Sequence, residues 1–211
     1  MKILSILTGK PQTVTFRGKV IDTGIFKSAS AGPIMLRTTN LDGDGQADLK
    51  VHGGRDKALY AYPFDIYDAW RDLRPQDKFE MGAFGENLCM DELNEKAIYL
   101  GDSFRVGKAV IQVTEPRFPC FKLGIKFEDP KIVEQFMTMG RPGVYYRVLE
   151  EGLLSIGDEM ELIDREEVLV SVQEIFEMES EPDPVRLLEI LKVQSLNEHM
   201  RRKYREYVDD V

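Results

Sequence analysis

Residues Ala97 to Gly124 read A-I-Y-L-G-D-S-F-R-V-G-K-A-V-I-Q-V-T-E-P-R-F-P-C-F-K-L-G. The punctuation of this stretch decides the fold. Ala97–Leu100, Ser103–Val106 and Ala109–Thr114 are short apolar runs rich in β-formers, and Gly101-Asp102 and Gly107-Lys108 supply the turns between them. Strands this short, joined this tightly, pair antiparallel. The run then breaks at Pro116 and Pro119. Each proline sets its own φ and pushes the residue before it toward extended backbone, so Cys120 is held at one place and one angle. Arg117 and Lys122 flank that thiol. Neighbouring cations favour the thiolate, the form that attacks electrophiles or binds metal. A cysteine without such a setting reads as a small buried hydrophobe.

The same grammar extends in both directions. Lys2–Leu7 is a short apolar run. Val14–Ile21 places Val14, Phe16 and Val20 on one face and Thr15, Arg17 and Lys19 on the other. Leu36–Asn40, Val144–Leu149 and Glu159–Ile163 are further strand candidates. Helical signals are fewer: Ile66, Ala69, Trp70 and Leu73 share a face within Pro63–Leu73. A helix led by Asp129 and Pro130 carries Ile132, Val133, Phe136 and Met137 and stops at Gly140. The expectation for residues 1–164 is therefore a mainly-β domain, an antiparallel barrel or sandwich with a few peripheral helices. The composition then changes. Ser171 with Glu174 and Ser195 with Glu198 fit the S-x-x-E capping box, and Asp183-Pro184 fits a cap followed by a first-turn proline. Apolar stripes through Leu187, Leu188 and Leu191, then Leu196, Met200, Tyr204 and Tyr207, predict three short helices over 165–211, a small second domain.

The 211 residues are 43% hydrophobic and 31% charged, with a net charge of −9. That balance argues against nucleic acid or an anionic membrane as partner, so an anionic ligand requires a local basic pocket. Two cysteines, Cys89 and Cys120, make no disulfide framework. No apolar run approaches the ~20 residues of a spanning helix, and Met1–Leu7 is too short for a signal-peptide core. A cytoplasmic location with reduced thiols is the expectation. Arg201-Arg202-Lys203-Tyr204-Arg205 is a local basic cluster, either a solvated helix face or a dock for an acidic partner.

Three loops carry further candidates. Leu41–Asp48, L-D-G-D-G-Q-A-D, has the carboxylates of a calcium loop without its spacing. With Asp42 as the first position, Ala47 stands where the turn glycine is required and Gly53 where the bidentate glutamate is. In Lys50–Lys57, the adjacent Gly53 and Gly54 permit a tight turn whose N–H groups converge on an anion, with Lys50, His52, Arg55 and Lys57 adding charge. The alternative for this stretch is a plain connection with solvated cations. Glycines around Glu86 and Asn87, in Gly82–Leu88, present a carboxylate and an amide at a pocket wall or simply make a turn.

Four stretches together resemble one family. T-G-I-F-K (Thr23–Lys27), G-D-G-Q-A-D-L-K-V-H-G-G (Gly43–Gly54), F-G-E-N-L (Phe84–Leu88) and E-P-R-F-P-C-F-K-L (Glu115–Leu123) are similar to the MOSC-domain proteins, named for the C-terminal domain of molybdenum cofactor sulfurase. The likeness is greatest to the bacterial YiiM-type branch, which appends a small three-helix domain. The resemblance implies a β-barrel that binds the molybdenum–pterin cofactor, with Cys120 as the metal ligand and catalytic centre. It implies a basic rim for the pterin phosphate from Lys27, Lys50, Arg55 and Arg117, with Lys27 and Arg117 foremost, and a cofactor pocket that also takes in His52, Gly53, Gly54, Asn87 and Lys122. It further implies reduction of small N-hydroxylated bases or related N-oxygenated compounds with electrons from a separate reductase. Two other readings of the same residues are a non-catalytic carrier of the cofactor or of persulfide sulfur on Cys120, and a thiol hydrolase pairing Cys120 with His52.

Overall fold

The computed structural model describes residues 1–48 and 53–210. Its strands are β1 (Ile3–Thr8), β2 (Gln12–Phe16), β3 (Lys19–Thr23), β4 (Ser28–Ala29), β5 (Ile34–Leu36), β6 (Leu59–Pro63), β7 (Leu88–Met90), β8 (Ser103–Val106), β9 (Ala109–Pro116), β10 (Val144–Glu150), β11 (Gly152–Leu154) and β12 (Met160–Asp164). Its helices are α1 (Tyr67–Leu73), α2 (Phe121–Lys126), α3 (Lys131–Met139), α4 (Val172–Glu177), α5 (Pro184–Ile190) and α6 (Glu198–Asp209). Eight strands form one sheet in the order β12-β8-β9-β10-β6-β7-β1-β4, and β11-β5 and β2-β3 form two small ribbons.

The mainly-β reading holds, but two details of it change. The sheet is mixed: β6 and β7 run parallel, with Ala61 opposite Leu88. A parallel neighbour needs a long crossover, and residues 64–87, which contain α1, supply it. The sheet also does not close as a barrel. An isolated bridge joins Lys2 to Glu159 near its two ends, while β12 and β4 remain the terminal strands of the order. The expected single strand over Val14–Ile21 is instead the hairpin β2-β3. Arg17 and Gly18 turn the chain with φ of 50° and 75°, the paired positive φ of the tight turn that matches strand twist.

Alternation along the central strands builds two cores, one on each face. On β6, Leu59 and Ala61 join one cluster and Tyr60 and Tyr62 the other. On β7, Leu88 and Met90 face the first, and Cys89 the second. Buried on both faces, β6 shows no polar alternation in its sequence, L-Y-A-Y-P. The second cluster is aromatic. Tyr62, Tyr67, Trp70, Phe79, Phe84 and Phe136 pack around one another, and the Trp70 indole N–H donates to Tyr62 Oη at 2.9 Å.

The tail shares the first core. Val170, Val172, Ile175, Leu187, Ile190, Val193, Leu196, Met200 and Tyr204 lie in one cluster with sheet residues from β1 to β12. Ser171 and Asp183 cap α4 and α5 through their side-chain oxygens, as expected. The α6 cap is Asn197 rather than Ser195. Arg201, in the basic cluster, is tied down: its guanidinium donates to the carbonyls of Leu191 and Val193, each at 2.7 Å. Both carbonyls lie just past the last residue of α5.

Candidate active site

The two prolines ahead of Cys120 lead into α2, with Cys120 as its N-cap in extended backbone, φ −131° and ψ 175°. The helix was not apparent from sequence because L-G-I-K within a six-residue segment is too short to show a period. It hangs from β9 at the foot of an open cleft, which encloses about 740 Å³ including the solvent at its mouth. The four motif stretches converge there. Thr23–Ile25 and Lys27 form one wall, Asp44–Asp48 a second, Phe84, Gly85 and Asn87 a third, and Arg117, Phe118, Cys120 and Lys122 the fourth. Lys57, Ala58, Tyr60 and Tyr145 complete the lining.

The predicted site residues divide accordingly. Lys27, Asn87, Arg117, Cys120 and Lys122 share this cleft. Lys50 and His52 lie outside the described residues. Gly53 and Gly54 do not line the cleft and serve it at one remove. Gly54 N donates to Gln46 Oε1 at 2.7 Å, and a Cβ on Gly53 would stand 2.6 Å from that same oxygen. Together they seat Gln46, a cleft residue that the sequence reading passed over. Arg55 begins a 3-10 turn, Arg55–Lys57, whose last residue, not its first, reaches the cleft.

Asp44 organises the polar wall. Its Oδ1 accepts from Gly9 N at 2.9 Å and from the Lys27 ammonium, and its Oδ2 accepts from Asn87 Nδ2 at 2.8 Å. The carboxylate discarded as a calcium ligand is thus the partner of two predicted site residues. Burial lowers the Lys27 pKa from its ordinary 10.5, and the Asp44 charge works against that shift. Asn87 is fixed further, because its Oδ1 accepts from Tyr60 N at 3.2 Å.

Arg117 has a different status from the lysines. It is 7% exposed and donates to the Phe84 carbonyl. Its guanidinium carbon lies 4.9 Å from the Tyr60 ring centre and 5.6 Å from that of Phe136. Weakly hydrated and planar, a guanidinium tolerates this aromatic seat where an ammonium would not. Below it, Lys126 Nζ donates to the carbonyls of Ile25, at 3.2 Å, and Gly82. This clamps two cleft walls to α2. Burial pushes the Lys126 pKa down to about 8. Glu86, fully buried, accepts from the Gly82 and Phe84 N–H groups and from the Tyr67 hydroxyl, and so shapes the F-G-E-N turn from within.

The two cysteines differ in kind. Cys120 is partly exposed at the cleft, Cys89 is buried on the aromatic face of the sheet, and no disulfide joins them. Burial, and then the Glu86 charge, push the Cys89 thiol pKa up. Among the described residues no group of three His, Cys, Asp or Glu side chains is placed to hold a metal ion, and no helix is long and apolar enough to cross a membrane.

The MOSC-domain sequence profile matches residues 48–161, a span that contains two of the four converging stretches whole. This chain belongs to the MOSC family. It is 46% identical over 173 residues to the uncharacterized protein YflK of Bacillus subtilis (strain 168), covering 81% of this chain and 77% of that one. It is 40% identical to the protein YiiM of Escherichia coli (strain K12), over 77% of this chain and 72% of that one. A protein of Gibberella moniliformis named "Reductase" is 33% identical over 77% of this chain, which spans 29% of that longer protein. Among solved structures, YiiM from Geobacillus stearothermophilus superposes with a TM-score of 0.83 at 29% identity over 98% of both chains. YiiM from Escherichia coli superposes at 0.78 with 30% identity, over 100% of this chain and 94% of that one. The likeness to these two solved structures extends over the tail as well as the sheet.

Proposed function

We propose that this protein is a molybdenum-cofactor oxidoreductase that reduces N-hydroxylated bases or related N-oxygenated compounds, with Cys120 as the metal ligand. The observation that carries this reading is the convergence of all four motif stretches on one cleft around Cys120. The relative named as a reductase supports the reaction class.

The residues present fit the group. Among the described residues no group of three His, Cys, Asp or Glu side chains could hold a bare metal ion, so Cys120 would serve a metal that arrives already ligated. Soft sulfur is the donor such a metal favours. The lining counts Lys27, Lys57, Arg117 and Lys122 against Asp44 and Asp48, an excess of cations on a chain of net charge −9. That local sign reversal suits a pterin phosphate. When bound, the cofactor supplies the two-electron redox chemistry and the oxygen-accepting position. The chain supplies the rest. Cys120 presents its Sγ from a backbone fixed by Pro119 and the start of α2. Lys27, Asp44 and Asn87 form a preorganised polar wall, and Ile25, Phe118 and Tyr145 narrow the cleft and limit water. Substrate and a separate electron-donating reductase follow from the family resemblance. Arg201 is committed to the carbonyls of Leu191 and Val193, so it does not serve as a docking cation for that donor.

The test is metal and pterin analysis of the chain made in a cofactor-competent host, followed by reduction of an N-hydroxylated base with a chemical reductant. Loaded wild type with turnover supports the proposal. Loaded protein without turnover favours the carrier reading, and absence of both molybdenum and pterin removes the proposal.

A further inference from the structure

The stretch that begins α6 reaches back to the cleft by two separate routes. Asn197 is 4% exposed. Its Oδ1 accepts from Met200 N at 2.9 Å, capping the helix, while its Nδ2 donates to Glu115 Oε1 at 3.0 Å. The other oxygen of that carboxylate, Oε2, lies 3.4 Å from Lys57 Nζ. Two residues upstream, the Ser195 carbonyl accepts from Arg147 Nη2 at 2.9 Å, and Arg147 Nε stands 2.8 Å from Asp56 Oδ1. Asp56 and Lys57 belong to one 3-10 turn. Thr114 adds a third hold, donating from Oγ1 to the Asp56 carbonyl at 2.6 Å. Residues 195–197 therefore grip the turn through an arginine on one side and a glutamate on the other. Lys57 lines the cleft, its Nζ 5.7 Å from the centre of the Tyr145 ring.

We infer that Lys57 is the cleft cation that meets the anionic group of the bound cofactor, and that Asn197 is its positioning residue, acting through Glu115. The inference rests on the proposed function above. A lysine ammonium sits on a flexible four-carbon stem and binds phosphate as a point charge, so its position must come from its surroundings. Glu115 supplies that position from a buried site, and a buried carboxylate is costly unless its oxygens are matched. Asn197 matches the oxygen that Lys57 does not. One amide side chain thereby starts a tail helix with its oxygen and sets a cleft charge with its nitrogen. The tail becomes part of the site although it contributes nothing to the lining.

Asn197→Asp separates the two jobs. Aspartate keeps a good cap oxygen for α6 but turns the donor facing Glu115 into a second carboxylate. Lys57→Gln removes the cation itself. Both are made as full chains in a cofactor-competent host, and bound pterin is measured as its fluorescent oxidation product. In parallel, the same chains from a host without the cofactor are treated with an amine-acylating reagent, and labelling at Lys57 is followed by peptide mass. The expected results are pterin content lower by about threefold for Asn197→Asp and about tenfold for Lys57→Gln. Lys57 labelling should rise by about threefold in Asn197→Asp, and its thermal midpoint should fall because two buried carboxylates then face each other. Should Asn197→Asp fail to fold, Asn197→Ser keeps a cap oxygen for α6, loses the donor to Glu115, and carries the same two expectations. Wild type loaded with pterin, together with equally loaded variants or unchanged Lys57 labelling, overturns the inference and leaves the proposed function standing. Wild type without pterin overturns both.

Discussion

Cys120 and Cys89 are the same residue type in opposite surroundings, one partly exposed at the cleft and one fully buried, and the proposed function gives a use only to the first. Cys120→Ser keeps size and removes the soft, easily ionised sulfur. Turnover of an N-hydroxylated base should fall by more than the roughly 10–100-fold typical of changing a residue one step out from a metal, with pterin content reduced less. Steady-state kinetics beside pterin analysis checks this, and full activity in Cys120→Ser would remove it from the metal. Cys89→Ala is the matched control, since Cys89 is fully buried on the aromatic face; it should cost stability and leave the turnover of loaded protein near wild type. Lys126 gives a pH prediction. Its folded pKa is about 8 against the ordinary 10.5, with burial the main cause. Between those values the unfolded chain binds more protons than the folded one, so the stability this group contributes rises with pH across the window and is least below 8. Compared with Lys126→Met, wild type should gain on the order of 3 kcal/mol from pH 7 to 10. Urea unfolding of both proteins at the two pH values measures it, and a difference that is flat or falls with pH rejects the assignment.

At the scale of elements, the cleft stands on the aromatic face of the sheet, and its walls are loops braced by that cluster. The F-G-E-N turn shows how closely. Gly85 has φ of 77°, and a Cβ there would stand 2.9 Å from Ile25 Cγ1 and 3.2 Å from the Ile25 carbonyl oxygen. Gly85→Ala therefore combines strained backbone with a push on the Thr23–Lys27 wall. The expected cost is about 1–3 kcal/mol, with pterin content falling further than that loss alone explains. Calorimetry and pterin analysis on the same samples test the pair. Trp70→Ala, at the heart of the cluster and fully buried, should cost about 3–5 kcal/mol and lower cleft occupancy only through unfolding. If Trp70→Ala empties the cleft of a still-folded protein, the cluster has a more direct part in binding than bracing.

Taken whole, the molecule ties its tail to its sheet through a continuous core, so the chain should unfold in one transition. A chain ended after Asp164 would expose the partners of Val172, Ile175, Leu187 and Ile190, and it should aggregate or unfold where the full chain does not. Calorimetry of both forms decides this; a stable, monomeric 1–164 fragment would show the tail to be an independent unit. Much of this architecture was legible beforehand. Turn residues announced β8 and β9, Ser171 and Asp183 announced α4 and α5, and the four motifs announced the cleft. The hairpin at Arg17-Gly18 was missed because its strands share one alternation across the turn. The α6 cap was misplaced because Ser195 satisfied the same pattern as the true cap two residues later.

What the sequence determined by itself was local: where backbone must turn, which helices have caps, and that a thiol sits between prolines and cations. Those follow from φ restriction, hydrogen-bonding side chains and charge within a few residues. The tertiary structure alone decided the pairing sense of β6 and β7 and the open, mixed sheet. It also decided that Asp44 holds Lys27 and Asn87, and that Asn197 meets Glu115 across 82 residues of chain. Such contacts carry no trace in sequence spacing. A carboxylate or an amide acquires its partner only when remote strands bring it one, and burial then decides what that partner is worth.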